Sequence, residues 1–381
     1  MTPSFVPLRT LACLSLGVFL GSTLPTVHAE RGSHDEDRDR PRLLRGPDWN
    51  HDRSDDSVWV VNRDKGTVTV FDADTGEVLT EAPVLVGLTD KSGTHDLVVS
   101  KRLRKAFIVN ETEKTVSVRS ASTLDLIDTI PIDDTRPHHI KLSPDGKTAY
   151  VGLFATNRIA VIDGRTHHVD YYTTSQGSPT PLPLAHAPRP SPDGRLIFVP
   201  HEVGNLVTKL SARTGDFLAS VSPGRPGFGA PSEVLPTRDG EVLYVSMRDE
   251  GTIKSIDVDS FTVIDEVSVG ELSQPESLIL TPDERILVVS LRGSPARLAF
   301  INTRQMRLIT TIDIAGQGTF GDLAVASPDG RYVYATFDAL AAGQGGVVKL
   351  DLWRRTLDTW LYPTTGRPHG IYYSTVKFRE Q

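Results

Sequence analysis

Cysteine is all but missing from this chain of 381 residues; Cys13 is the only one. It falls in an amino-terminal stretch that reads as a cleaved export signal, so the mature protein is expected to carry no thiol. That excludes disulfides, cysteine-ligated zinc and a covalent C-x-x-C-H haem. Long apolar runs are lacking too. Residues 11–20 form an apolar core too short to cross a bilayer, and no other long apolar run follows, so no membrane span is expected. Nor is there a basic stripe. With 41 Lys and Arg against 48 Asp and Glu the net charge is −7, which argues against a nucleic-acid partner. The chain also has no G-x-S-x-G, no phosphate-cradling P-loop and no H-E-x-x-H, so several hydrolase and nucleotide chemistries lose their usual signatures.

What is present at the amino terminus is the signal pattern itself. Arg9 supplies the positive end, residues 11–20 the apolar core, and Val27-His-Ala29 an A-x-A-like cleavage site. Residues 1–29 are therefore read as a signal peptide and the protein as periplasmic or secreted. A lipoprotein reading at Cys13 is the poorer alternative, because Thr10-Leu-Ala12 lacks the usual aliphatic residue. Cleavage removes only Arg9 among the charged groups, leaving 40 basic against 48 acidic residues, a net charge of −8. Residues 30–57 mix both signs of charge with almost nothing to bury and read as a disordered linker.

From residue 58 onward the chain repeats itself. Arg136-Pro-His-His-Ile-Lys-Leu-Ser-Pro-Asp-Gly-Lys-Thr-Ala-Tyr-Val-Gly152 reads as a short strand, a turn of type I residues and a second strand. Counterparts of that second strand begin at Trp59, Phe107, Tyr150, Phe198, Tyr244, Val288 and Tyr334, 43 to 48 residues apart. Each is followed by a polar hairpin and two more strands, as in Gly66-Thr-Val-Thr-Val-Phe71 and then Glu77-Val-Leu79. Four short antiparallel strands at this period are the pattern of propeller blades, so an all-β, seven-bladed propeller is expected over residues 58–381. The first unit lacks its innermost strand, and Arg367-Pro-His-Gly-Ile-Tyr-Tyr-Ser374 matches Arg136 to Ser143 at Arg, Pro, His, Ile and Ser. The carboxy-terminal strand should therefore pair with the first blade and close the ring.

Trp59-Val-Val-Asn62 and Phe107-Ile-Val-Asn110, with the Pro-His-Gly/His strand openings and the Ser-Pro-Asp-Gly turns, resemble the YVTN (YncE-like) β-propeller family. More distantly the chain is similar to the propeller of nitrous oxide reductase and to propeller lactonases. The resemblance implies the fold and an exported protein, but no activity, since fold alone does not carry chemistry.

A candidate site comes from the repeat alignment. Aligning innermost strands on Ser143 places His369, His95, His138 and His186, then Ser232, Glu276 and Asp322, in one column at the channel mouth. Histidine is 11 of 381 residues, so about a fifth of one is expected by chance in seven positions, not four. Neutral imidazoles on neighbouring strands are suited to a transition metal, copper or zinc, with Glu276 and Asp322 as further ligands or as orienting groups. The structural alternative is duplicated sequence, with each imidazole capping a strand end. His139 is expected to point into the blade, by strand alternation. Asn62, Asn110 and His201 are expected at the same rim, with Arg136 and Arg367 as donors for a carboxylate or phosphate ligand. Insertions at 173–189, 222–231 and 339–345 are expected to roof the mouth, and His167-His168 to lie at the surface. Two functions follow: a metal-binding propeller acting as a metal-dependent hydrolase or oxidoreductase on a small molecule, or a non-catalytic propeller, a monomer, whose loop face binds a protein or cell-envelope partner.

Overall fold

The computed structural model describes residues 53–84, 93–133, 136–176, 184–225, 229–316, 319–339, 345–354, 356–361 and 367–379. The expected signal peptide, residues 30–52 of the expected linker, and residues 177–183, 226–228 and 340–344 of the expected roof lie outside them. Among the described residues are 28 strands, β1 to β28 in chain order, in seven antiparallel sheets of four. No described helix is long and apolar enough to cross a membrane.

The innermost strands of successive blades are β28 (Pro368–Ser374), β4 (Thr94–Ser100), β8 (Pro137–Leu142), β12 (Arg189–Pro190), β16 (Pro231–Pro236), β20 (Pro275–Leu280) and β24 (Thr319–Ala326). Second strands such as β1 (Ser57–Asn62) and β21 (Ile286–Leu291) are buried at every position, because a neighbouring blade covers each face. Outer strands such as β7 (Leu126–Pro131) are mostly exposed, which is why their sequences carry little apolar signal. The core accordingly lies between blades. Val98, Phe107 and Val118 of the second blade, for example, pack with Ile140, Val151 and Ile162 of the third.

Turn chemistry sets the register inside each blade. At Ser143 to Gly146 the Gly146 amide donates to the Ser143 carbonyl (2.8 Å), the Ser143 hydroxyl donates to Asp145 (2.7 Å), and Gly146 takes φ +68°. That positive φ is what the glycine is there to permit.

Ring closure is as the repeat pattern predicts. β28 pairs with β1 in the register Val58↔Tyr373, Trp59↔Tyr372, Val60↔Ile371. The expected linker, however, ends too late. Arg53 is already docked, paired with Asp329 at 2.7 Å and lying 4.6 Å from the Tyr332 ring, and Asp56 accepts the Tyr373 hydroxyl at 2.6 Å. Charge alone hid this segment, because its few charged groups find partners on the first and last blades.

Candidate metal centre

The four expected histidines do converge. Ring centroids lie 4.1 Å apart for His369 and His95, 3.6 Å for His95 and His138, and 4.8 Å for His138 and His186. His186 reaches this place without a regular strand: Ala185 makes one bridge to His201 and β12 begins only at Arg189. Prolines 188 and 190 have no N–H to give a ladder there, so the strand is reduced to two residues.

His139 is a correction. It does not turn into the blade but joins the cluster, with its ring 4.9 Å from His95, 4.6 Å from His138 and 4.6 Å from His186. The cause is a register shift between Pro137 and Ile140 against β9 (Thr148–Leu153), which breaks the alternation on which the expectation rested. The same shift recurs in β4, β16, β20 and β24, so a second layer of residues, Asp96, His139, Glu233 and Ser277 among them, follows the first. Phe154 stacks on His138 at 4.8 Å and closes one side.

Each ring's hydrogen bonding decides which nitrogen is left over. Nδ1 of His369 donates to the His95 carbonyl (3.0 Å) and Nδ1 of His186 to the Ser232 carbonyl (2.7 Å). Nδ1 of His139 lies 3.1 Å from Asp96. Nδ1 of His95 and of His138 is buried with no hydrogen-bond partner, as is Oδ1 of Asp322. Nε2 of His369 faces the other Asp322 oxygen at 3.3 Å. Burial, and then the neighbouring rings, hold His95, His138 and His186 well below the usual histidine pKa. Burial outweighs Asp322 at His369 and brings it to about 4. These four rings are thus neutral near pH 7, the state that ligates metal. Among the described residues, two sets of three have ligand atoms within 4.8 Å of one another: His95, His138 and His139, and His139, His186 and Glu276.

The acidic arc is already compensated. Burial opposes charge on Glu276, but Arg248 and Arg292 outweigh it and hold the carboxyl well below its usual range. Arg248 also binds Glu202 and the Ser232 hydroxyl, and Arg292 lies 3.8 Å from Asp322. Below the rings, burial likewise opposes charge on Asp96, yet Lys141 and His139 bring it down to about 2. Lys141 contacts both Asp96 (3.7 Å) and Glu233 (3.3 Å), and Arg189 binds Glu233 at 2.8 Å. This charged layer separates the rings from a cavity of about 840 Å³ toward the other end of the channel, lined by Ser100, Ser277 and Tyr372 as well as by Lys141, Arg189 and Glu233.

The other expected rim residues fare unevenly. Asn62 and Asn110 are buried and spend their amide hydrogens on hydroxyls of the next strand, Thr67 and Thr69 in one case and Thr115 and Ser117 in the other. His201 contacts Thr208 in the same way, at 3.2 Å. It is the residues one further on, Arg63, Glu111, Phe154, Glu202, Arg248, Arg292 and Asp338, that form the rim; aligning second strands one position later would have found them. Arg136 is half exposed, shares Glu111 with Arg63, and lies 5.1 Å from the Phe154 ring. Arg367 pairs with Asp338 at 2.7 Å. His168 is exposed as expected, but His167 is wedged between blades, with Asp128 at 2.5 Å and the Lys105 amine at 2.8 Å. The left-handed backbone at His167, φ +63°, turns the ring inward.

With this geometry in view, the chain can be set beside known proteins. No curated protein matches it significantly in sequence. Solved structures share its fold at low identity. The periplasmic gluconolactonase of Pseudomonas aeruginosa has a TM-score of 0.63 at 20% identity over 84% of this chain and 98% of its own. The hydrazine synthase of Kuenenia stuttgartiensis scores 0.61 at 18% over 81% and 93%. A dihydro-heme d1 dehydrogenase in complex with its ligand scores 0.60 at 15% over 86% and 76%. At such identities the likeness speaks for the fold alone. The profile of the seven-bladed β-propeller lactonases matches residues 47–177 and 133–314, so of the resemblances expected from sequence it is the one to propeller lactonases that is supported, and the chain belongs to that family.

Proposed function

We propose that this protein is an exported propeller that binds a transition metal, copper or zinc, at the histidine-lined mouth of its channel and hydrolyses a cyclic ester there. The observation that supports the metal is a set of buried ring nitrogens: Nδ1 of His95 and of His138, which have no hydrogen-bond partner, and Nε2 of His369, which is aimed at a carboxylate oxygen. Two lone pairs facing each other in a buried site repel unless a cation lies between them. Nitrogen donors favour copper or zinc over calcium or magnesium. His95, His138, His139 and His369 would hold the ion, with His186 and Asp322 beside them.

A bound ion would supply Lewis acidity toward a carbonyl oxygen. The chain's own groups orient and select. Asp96 and the Ser232 carbonyl fix the rings of His139 and His186. Arg248 and Arg292 keep Glu276 charged and engaged, so it need not act as acid or base, and Arg292 also lies beside Asp322. Arg136, half exposed beside Phe154, offers a guanidinium to an acidic substrate. His138 is the least buried ring, so substrate approaches from its side. Family membership and the gluconolactonase neighbour favour an ester over other hydrolysable groups. Kinship with the YVTN propellers within this fold rests on Trp59–Asn62 and Phe107–Asn110.

The test is metal analysis of the mature protein followed by hydrolysis of gluconolactone, with and without a chelator. Metal bound near one equivalent and turnover lost on chelation are expected; full turnover by metal-free protein would refute the metal's role. Amino-terminal sequencing of the exported protein should begin at Glu30. A second reading has one observation in its favour. None of the five rings is more than 8% exposed, which suits a non-catalytic protein that binds a partner through its loop face. Metal bound without turnover would leave that reading standing.

A further inference from the structure

We infer that Asp96 is the positioning residue of the metal centre: from the neighbouring blade it fixes the orientation and tautomer of His139, so that Nε2 of this ring is the central ligand nitrogen. This rests on the metal reading above and goes beyond it, because neither residue stands out in the repeat column.

Donors and acceptors around Asp96 decide the tautomer. Asp96 is 2% exposed and everything around it donates: Leu97 N to Oδ1 at 2.8 Å, Ile140 N to Oδ2 at 3.3 Å, and the Lys141 amine 3.7 Å from Oδ2. An ionised carboxylate only accepts, so the His139 nitrogen 3.1 Å from Oδ2 must carry the proton. That nitrogen is Nδ1. In the neutral imidazole that ligates a metal, Nε2 then holds the lone pair, and among the described residues His139 is common to both sets of converging ligand atoms. A ligating imidazole that donates its other N–H to a carboxylate is more basic and held in one orientation. Lys141 completes the device. Bridging Asp96 and Glu233, it keeps two buried carboxylates from facing each other uncompensated. Backbone geometry also protects the pair: Gly370 lies so close to the Asp96 Cα and the His95 carbonyl that a Cβ there would meet the former at 2.7 Å and the latter at 2.8 Å.

The experiment titrates the metal-free mature protein with cobalt(II), read by its ligand-field bands, and with zinc by competition. Wild type and Asp96→Asn are compared. The substitution keeps size and leaves an acceptor but removes the charge; affinity should fall about 10–100-fold and the cobalt bands should shift. Equal affinity and an unchanged spectrum would overturn the positioning role while leaving the metal reading intact. Failure of wild type to bind either ion would remove both. Should Asp96→Asn not fold, nitrogen-15 NMR of histidine-labelled wild type decides: on adding zinc, Nε2 of His139 should move to metal-bound shifts while Nδ1 stays protonated. A metal-bound Nδ1, or no change at His139, would sink the idea.

Discussion

At Gly152 a Cβ would run into the carbonyl of His186, so the loop that carries this histidine rests on bare backbone. Gly152→Ala should therefore push the loop away, at a cost of about 1–3 kcal/mol typical of an overpacked site. A lowered melting temperature with weaker zinc binding is the expected pair of readings; wild-type values for both would show that the loop has room to spare. The rings themselves call for a different comparison. His95→Ala with His138→Ala removes two adjacent nitrogens and should abolish tight zinc uptake, whereas His167→Ala should leave uptake intact and cost a little stability, since its ring bridges Lys105 and Asp128 between blades. Equal, weak uptake by all three proteins would reduce the cluster to an inheritance of the repeat. The first column was legible in sequence because each innermost strand is followed by a Ser or Thr equivalent to Ser143, from which the column can be counted back. His139 was not, because a bulge shifts the register after Pro137 and period-two reasoning fails at a bulge. Asp96, Arg248 and Arg292 were hidden for another reason: isolated charged residues in a repeat look like solvated surface until the ring brings them together.

Among the elements, β28 bears the most on integrity. It brings Ile371 and Tyr373 into the seam between the last and first blades, where both are buried with Val58, Val60 and Tyr334. Burying two such side chains is worth roughly 3–6 kcal/mol, and Tyr373 adds its bond to Asp56. Deleting residues 368–381 should therefore give insoluble or non-cooperatively unfolding protein. Unchanged melting of the truncated chain would refute closure as a stabilising device. The opposite end behaves differently at two neighbouring positions. Arg53→Ala should lower stability by about 1 kcal/mol, through loss of the Asp329 pair and the Tyr332 contact, while removal of residues 30–52 should change little. Blade count, strand order and closure were all legible beforehand, since each follows from a period and a match between chain ends. The docking of Arg53 to Asp56 was not, because its partners lie in the last blade and the carboxy-terminal strand.

On the scale of the whole molecule, a ring of seven blades commits the channel to holding several imidazoles out of water, and the metal-free protein should be acid-sensitive for that reason. His369 has a folded pKa of about 4 against an ordinary value near 6.5, and His95 and His138 are also well below it. A base with a depressed folded pKa takes up its proton more readily when unfolded. Its contribution to stability is then fully present above pH 6.5 and is lost as pH falls toward 4. For His369 alone the loss amounts to roughly 3 kcal/mol across that window. The buried carboxylates act lower down. Asp96, brought to about 2, keeps its full contribution above its ordinary pKa near 4 and loses it as the pH falls from there toward 2, so it cannot account for losses between 6.5 and 5. Urea unfolding of metal-free protein at pH 7.5, 6.5, 5.5 and 4.5 should therefore show a progressive fall beginning near 6.5, and His369→Gln, which keeps a polar group without the titration, should flatten its slope. A stability constant from pH 7.5 down to 5 would mean that the rings are protonated or solvated in the folded state, and the neutral cluster on which the metal reading depends would have to be given up.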